Sequence, residues 1–255
     1  MWAKTNTQNF LRKAGAILLA LALWQSAAMI WDQSLLLVPP TQVISRLFSL
    51  CRDTTFWESV LYSFWRIVLG FALGLVAAGL LSVLSYKFPV LETLLWPYVT
   101  AIQTVPVASF IIIALVFFSS SRLSIFISFL MVFPVLYASI LQGLKSTDPK
   151  LLEMAQLYRM PWGRRLGYIY LPQIKPFLIS SCSTALGLCW KSGIAAEVIG
   201  IPNGSIGERL YEAKIYLATA DLFAWTLVIV ILSVGFEKLI LWAMKWAYRK
   251  WEAHG

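Results

Sequence analysis

Histidine is almost absent from this 255-residue chain: its one copy, His254, is next to last. That argues against a metal or acid–base site built on imidazole. Cysteine is scarce as well. Cys51, Cys182 and Cys189 show no C-x-x-C spacing, so apolar packing is their simplest role. No G-x-x-x-x-G-K-[ST] occurs. The stretch Gln142 to Thr147, QGLKST, has the lysine and the serine without the glycine pattern. The chain therefore lacks a P-loop for ATP. H-E-x-x-H and G-x-S-x-G are missing too, as are the paired acids or histidines in neighbouring apolar runs that an intramembrane enzyme needs. Catalysis by this subunit alone is not expected, nor is a metal site.

Charge is the other scarcity. Asp, Glu, Lys and Arg make up 13% of the residues, against about 25% in soluble domains. Apolar residues make up 59%, and mean hydropathy is +0.74. The composition predicts an all-α, polytopic membrane protein. The net charge of +9 suits the excess of Lys and Arg in cytoplasmic loops. No basic stripe with interleaved aromatics stands apart from the apolar runs, so nucleic acid is not an expected partner.

Six apolar runs predict six transmembrane helices in one domain, residues 1–255: about 14–31, 59–85, 98–118, 123–144, 176–196 and 222–244. The first resembles a signal peptide in its basic start, but no small-residue cleavage site follows cleanly. Trp24 and Trp31 suit a retained span. In the second, Gly70 and Gly74 form a small-residue pair that lets another helix approach closely. Pro106 should kink the third span, and Pro134 lies inside the fourth. Kinks of this kind are tolerated where neighbours satisfy the freed carbonyl. The termini, the Lys87 turn and the 145–175 loop hold thirteen of the 21 basic residues. Five lie on the opposite side: Arg46, Arg52, Arg122, Arg209 and Lys214. The positive-inside rule therefore puts both ends and the loop in the cytoplasm.

That loop, KSTDPKLLEMAQLYRMPWGRRLGYIYLPQIK, is the longest polar stretch and carries eight charged residues. Asp148-Pro149 reads as an N-cap followed by proline at the first helical position. Leu151, Leu152, Ala155 and Tyr158 recur at helical spacing, and Lys150, Glu153, Gln156 and Arg159 make the other side polar. Pro161 should stop this helix. A second short helix is expected from Arg164 to Tyr170, ended at Leu171-Pro172. A short amphipathic helix held in water wants a surface. Lipid headgroups and a soluble protein both satisfy the physics.

Glu153, Ala155, Leu171 and Pro172, with Ile169 nearby, resemble the EAA loop of ABC-importer permeases. The chain departs from that pattern at Met154, in place of an alanine, and at Met160, in place of the glycine that permits a turn. The resemblance implies a type I ABC-importer permease fold. It also implies that Glu153, Ala155, Leu157, Tyr158, Arg159, Pro161, Leu171 and Pro172 engage a separate cytoplasmic ATPase, which would hold the ATP and magnesium. The further partners implied are an extracytoplasmic solute-binding protein, a second copy of the chain and membrane lipid. The implied location is the bacterial inner membrane.

A second stretch, Cys189 to Asp221, resembles nitrate, sulfonate and taurine importer permeases at Ala196-Glu197, Gly204, Ile206 and Gly207. A short outer helix is expected over 208–217. Pro106, Lys191, Glu197 and Gly204 are the candidates for the path or its gate. Lys191 either snorkels, is paired structurally, or lines the pore as a cation favouring anions. Six residues separate it from Glu197, so on a regular helix the two do not share a face. Glu197 is expected to orient the outer loop. The implied solute is small and polar or anionic, such as a sulfonate, taurine or nitrate. A thiamine-precursor-type heterocycle is the alternative within the class. A scaffold that binds a cytoplasmic partner without transport is the alternative outside it.

Overall fold

The computed structural model describes residues 2–31 and 37–254. Residues 32–36, in the stretch between the first two expected spans, lie outside the described residues. Eleven helices follow in order, with no strand among the described residues: α1 Trp2–Trp31, α2 Pro40–Leu50, α3 Thr54–Lys87, α4 Pro89–Thr104, α5 Val107–Phe117, α6 Ser120–Lys145, α7 Pro149–Leu157, α8 Trp162–Arg165, α9 Leu171–Gly200, α10 Ile206–Ile215 and α11 Thr219–His254. A wide turn, Leu166–Tyr170, joins α8 to α9. By length and composition α3, α6 and Thr219–Lys250 of α11 can each cross a membrane, and α4 with α5 qualifies as a pair bent by 110°.

The core is a three-helix stack of α3, α6 and α9. Small residues set its spacing. A Cβ on Gly70 would lie 2.6 Å from Ile125 O and from Ser128 Cβ, and one on Gly74 would lie 2.8 Å from Val132 Cγ1. The Gly70/Gly74 face thus receives α6. On the other side of α6, Gly143 admits Ile174 of α9, and Gly193 of α9 fits against Ile67 and Ser128. Ser128 Oγ donates to the Cys189 carbonyl across the same contact. Trp190 is buried beside Phe64 and Phe236, which brings α11 onto the stack. Close packing and cross-helix hydroxyls hold helices together where lipid removes the hydrophobic drive between them.

Proline decides several boundaries, not always where the sequence puts them. At Pro106 the structure has a break: Val105 is extended (φ −76°, ψ 134°) and α5 restarts in a new direction. The residue before proline avoids the α region, and the missing N–H ends the ladder. By contrast, α6 runs through Pro134 uninterrupted. Leu171-Pro172 does not end a helix. It opens α9, with the proline in the first turn. The wide turn before it, in which Leu171 N–H donates to Leu166 O, is the kind of local widening that a bend in a helix uses. Helix α10 starts at Ile206, two residues before the expected 208, because Ser205 caps it: Ser205 Oγ accepts from Glu208 N–H at 3.0 Å.

Candidate functional site

The loop between α6 and α9 folds as a hairpin of α7 and α8. Asp148 caps α7 as expected, its carboxylate accepting the Lys150 N–H at 2.9 Å. The far end departs from expectation. The helix stops at Tyr158, before Pro161, and Arg159 takes a left-handed conformation at φ 51°. Met160 N–H then donates to Ala155 O, and Arg159 N–H to Gln156 O. This is the Schellman closure, whose left-handed residue is usually glycine. The missing glycine of the motif therefore falls at Arg159, not Met160. Pro161 caps α8 instead of terminating α7.

Arg165 pins the hairpin. Its Nε donates to Met160 O at 2.9 Å, and its second guanidinium nitrogen donates to Ala155 O at 3.3 Å. Met160 O lies in the turn after α7, and Ala155 O, which already accepts the Met160 N–H, takes a second donor. Ala155 is buried and Leu151 and Leu152 are half-buried, so this face rests on the bundle. Tyr158 does not join it. Leu157 and Tyr158 are 81% and 76% exposed, and Met154, Trp162 and Tyr168 are exposed with them. Glu153, Arg159, Pro161 and Pro172 are also exposed, while Leu171 is half-buried. The hairpin presents an apolar surface fringed by charge and held on rigid supports. One support is Tyr170, which packs against Trp162 and Tyr86 and donates to the Tyr86 hydroxyl at 3.5 Å. Burial pushes the Tyr170 phenol up to about 12, so it stays a neutral donor at any physiological pH.

The end that the charge pattern reads as outer is built the opposite way. Glu197 is fully buried at the end of α9. Ser63 of α3 donates to its Oε2 at 2.6 Å, and Gly207 N–H approaches the same oxygen at 3.4 Å. Ser63 Oγ also accepts the Ile206 N–H at 2.9 Å. One carboxylate and one hydroxyl thus satisfy the first turn of α10 and tie it to α3 and α9. A carboxylate there also suits the positive end of the helix dipole. Gly207 is what lets α10 come this close: a Cβ there would sit 2.3 Å from Glu197 Cβ. Gly204 turns the chain before α10 at φ 78°, and its N–H donates to Glu208 at 2.6 Å. Ser124 Oγ and the second carboxylate oxygen of Glu197, Oε1, are buried without a hydrogen-bond partner among the described residues.

Lys191 sits elsewhere on α9. It is exposed, with no ion pair among the described residues, and Ser180, Thr184 and Leu188 are exposed on the preceding turns. Glu197 faces the interior, so the two charges do not meet. Pro106 and the neighbouring Gln103 and Thr104 are exposed at the α4–α5 break. Several polar contacts escape a reading by motif: Ser63, Ser205 and Arg165, the Ser183–Glu237 hydrogen bond between α9 and α11, and the Glu92–Lys145 pair between α4 and α6. For the last two a sequence signal exists. Glu237 is an acid inside an apolar run, and such residues are costly unless paired. Glu92 is a lone acid in the first turn of α4.

A family model described as the binding-protein-dependent transport system inner membrane component matches residues 70–252. The taurine transport system permease protein TauC of Escherichia coli (strain K12) is 26% identical over 230 residues, which cover 88% of this chain and 83% of that protein. SsuC of Bacillus subtilis (strain 168), named for aliphatic sulfonates transport, is 24% identical across 84% of this chain and 78% of its own length. The bicarbonate transport system permease protein CmpB of Synechococcus elongatus is 23% identical across 76% of this chain and 70% of its own length. Among solved structures, the crystal structure of an amino acid ABC transporter with histidines superposes with a TM-score of 0.58 at 16% identity. It covers 80% of this chain and 98% of that chain, a likeness of fold.

Proposed function

The chain belongs to the binding-protein-dependent transport system inner membrane component family of ABC permeases, and from that membership we propose that two copies enclose a solute path whose opening is driven by a separate cytoplasmic ATPase. The observation that carries the coupling is the α7–α8 hairpin. It exposes Leu157 and Tyr158 beside Glu153 and Arg159, while its underside is fixed by Ala155, Arg165 and Tyr170. A rigid apolar knob with a charged fringe is what a helix-in-groove contact uses. ATP and magnesium belong to the ATPase in this scheme, and an extracytoplasmic binding protein delivers the solute at the α10 side. The chain crosses the inner membrane six times, with α1 and α9 among the spans and both termini in the cytoplasm. ATP-driven motion of the hairpin shifts the bundle between outward-open and inward-open states, as alternating access by a bistable interface requires.

The path runs along the exposed face of α9 that bears Ser180, Thr184 and Lys191. A lone ammonium at membrane depth is costly facing lipid and tolerable facing water. A cation there favours solutes with an anionic group, and the relatives named for taurine, sulfonates and bicarbonate fit that lean. Pro106 serves as a hinge at the break between α4 and α5 and Gly204 as one at the α10 end of this path, and Glu197 holds the outer gate.

The test is co-purification of the tagged chain with the ATPase and binding protein encoded beside it, followed by ATPase assay in lipid nanodiscs. A stable complex stimulated by one solute with its binding protein is the expected result. A chain that purifies without any ATPase would refute the coupling role and leave the hairpin as a membrane-surface loop.

A further inference from the structure

A groove of about 580 Å³ runs between α3 and α6, a volume in the range of ligand sites. Leu73, Val76 and Leu80 of α3 form one wall, and Ile125, Phe126 and Phe129 of α6 form the other. Among the described residues Arg122 is the one polar group in the lining. A second arginine stands at the same end. Helices α3 and α6 run in the same direction, since Gly70 meets Ile125 and Ser128 and Gly74 meets Val132. Arg66 lies one turn before Gly70 and Arg122 one turn before Ile125, so the two share a level. Arg66 precedes Leu73 by seven residues and shares its face of α3, and Arg122 precedes Phe126 by four and shares its face of α6. Neither arginine forms an ion pair among the described residues. The Arg66 guanidinium lies 4.0 Å from the centre of the Tyr62 ring, and the buried Glu197 carboxylate reaches it only through space. Beyond Arg66, Ile67 to Ser85 carries no charge, and beyond Arg122, Leu123 to Leu144 carries none. At 1.5 Å per residue these runs span about 28 Å and about 33 Å, which brackets a hydrocarbon core of about 30 Å. The two guanidiniums therefore stand at the level of lipid phosphates, at the head of a groove that descends among acyl chains.

We propose that this groove binds an anionic phospholipid, with one acyl chain between α3 and α6 and the phosphate between Arg66 and Arg122. The leaflet is the one at the Thr54 end of α3, which the charge pattern reads as outer. A guanidinium holds a phosphate through two parallel N–H bonds. The ammonium of a zwitterionic headgroup meets the same two cations and is repelled, so the net negative lipid is preferred. The walls match a hydrocarbon chain and offer a polar solute no partner. A second copy of the chain fits this face less well. A two-fold contact through it sets Arg66 and Arg122 against their own counterparts, and like charges so placed oppose association. The lipid site is independent of the solute and of the ATPase.

The test is native mass spectrometry of the full chain in detergent, titrated with phosphatidylglycerol and with phosphatidylcholine of the same acyl chains. Phosphatidylglycerol should bind at least tenfold more tightly. The double variant Arg66→Gln with Arg122→Gln should abolish that preference. Arg52→Gln, at an exposed arginine outside the groove, should keep it. Val76→Trp fills the groove from an exposed position and should weaken phosphatidylglycerol binding at least tenfold. It serves should the double variant fail to fold. Equal affinity for the two lipids, a preference that survives the double variant, or full binding in Val76→Trp would overturn the proposal. Displacement of the lipid by millimolar inorganic phosphate would assign the arginines to a free anion and overturn it as well. A photo-cross-linker at Val76, in nanodiscs of the two lipids, reads the occupant directly. A phosphatidylglycerol adduct is expected, and a covalent dimer of the chain would give the groove to a second copy instead.

Discussion

The two ends of the bundle solve opposite problems. At the outer end, Glu197, Ser63, Ser205 and Gly207 are all buried; Glu197 and Ser63 tie α3, α9 and α10 together, and Ser205 caps α10. At the inner end, Leu157, Tyr158 and Glu153 stand out in water with no packing of their own. The outer node ties elements of one chain together. On the function proposed above, the inner hairpin holds contacts in reserve for another chain. Substitutions should therefore be costly to stability at the first and costly to function at the second.

The sharpest way to break that contrast is Gly207→Val. The new Cβ would overlap Glu197 and the backbone of Val198, neither of which can yield without moving α9. A loss of about 3 kcal/mol is expected from overpacking of this kind, read as a fall in the thermal unfolding midpoint in detergent. Glu197→Ala comes next. It strands the Ser63 hydroxyl and the Gly207 N–H in a dry site, which should cost about 2–3 kcal/mol. Glu197→Gln keeps an acceptor and should cost about 1 kcal/mol less than the alanine variant. If the alanine variant unfolds at the wild-type temperature, the carboxylate is not the tie described here.

On the inner side the expected stability effects are smaller, and one has the opposite sign. Arg159→Gly should stabilise the hairpin by about 1 kcal/mol, because a side chain in the left-handed region is strained and glycine is not. Slower hydrogen exchange at the Met160 amide would register it. Leu157→Asp should leave the unfolding midpoint within about 0.5 kcal/mol of wild type, yet cut the ATPase recovered with the tagged chain at least tenfold. Full ATPase recovery with that variant would show that the exposed knob carries no partner.

The contrast also explains what was legible in the sequence. The helices followed from apolar runs, and the Asp148-Pro149 cap followed from local chemistry. Both depend on residues close in sequence. The Gly70/Gly74 contact was readable as a small-residue face, although α6 as its partner was not. The 110° break at Pro106 was not fixed by the proline itself. Pro134 sits inside an unbroken helix, so the neighbours decide how far each proline bends. The motif's glycine position, with three residues between it and Ala155, is Arg159 rather than Met160 by spacing alone, and the backbone agrees, with Arg159 left-handed. The outer node was least visible. Glu197 was a candidate by its charge, but Ser63 lies 134 positions away, and a serine in an apolar run carries no mark of its partner.

Solute-stimulated ATPase activity of Glu153→Arg, in nanodiscs with the ATPase and loaded binding protein, tests the central claim most directly. Glu153 is exposed on α7, so charge reversal there leaves the bundle intact. The account predicts a variant that keeps the wild-type unfolding midpoint and loses stimulation, by uncoupling or by failed assembly. Stimulation equal to wild type would contradict the assignment of the α7–α8 hairpin as the coupling element.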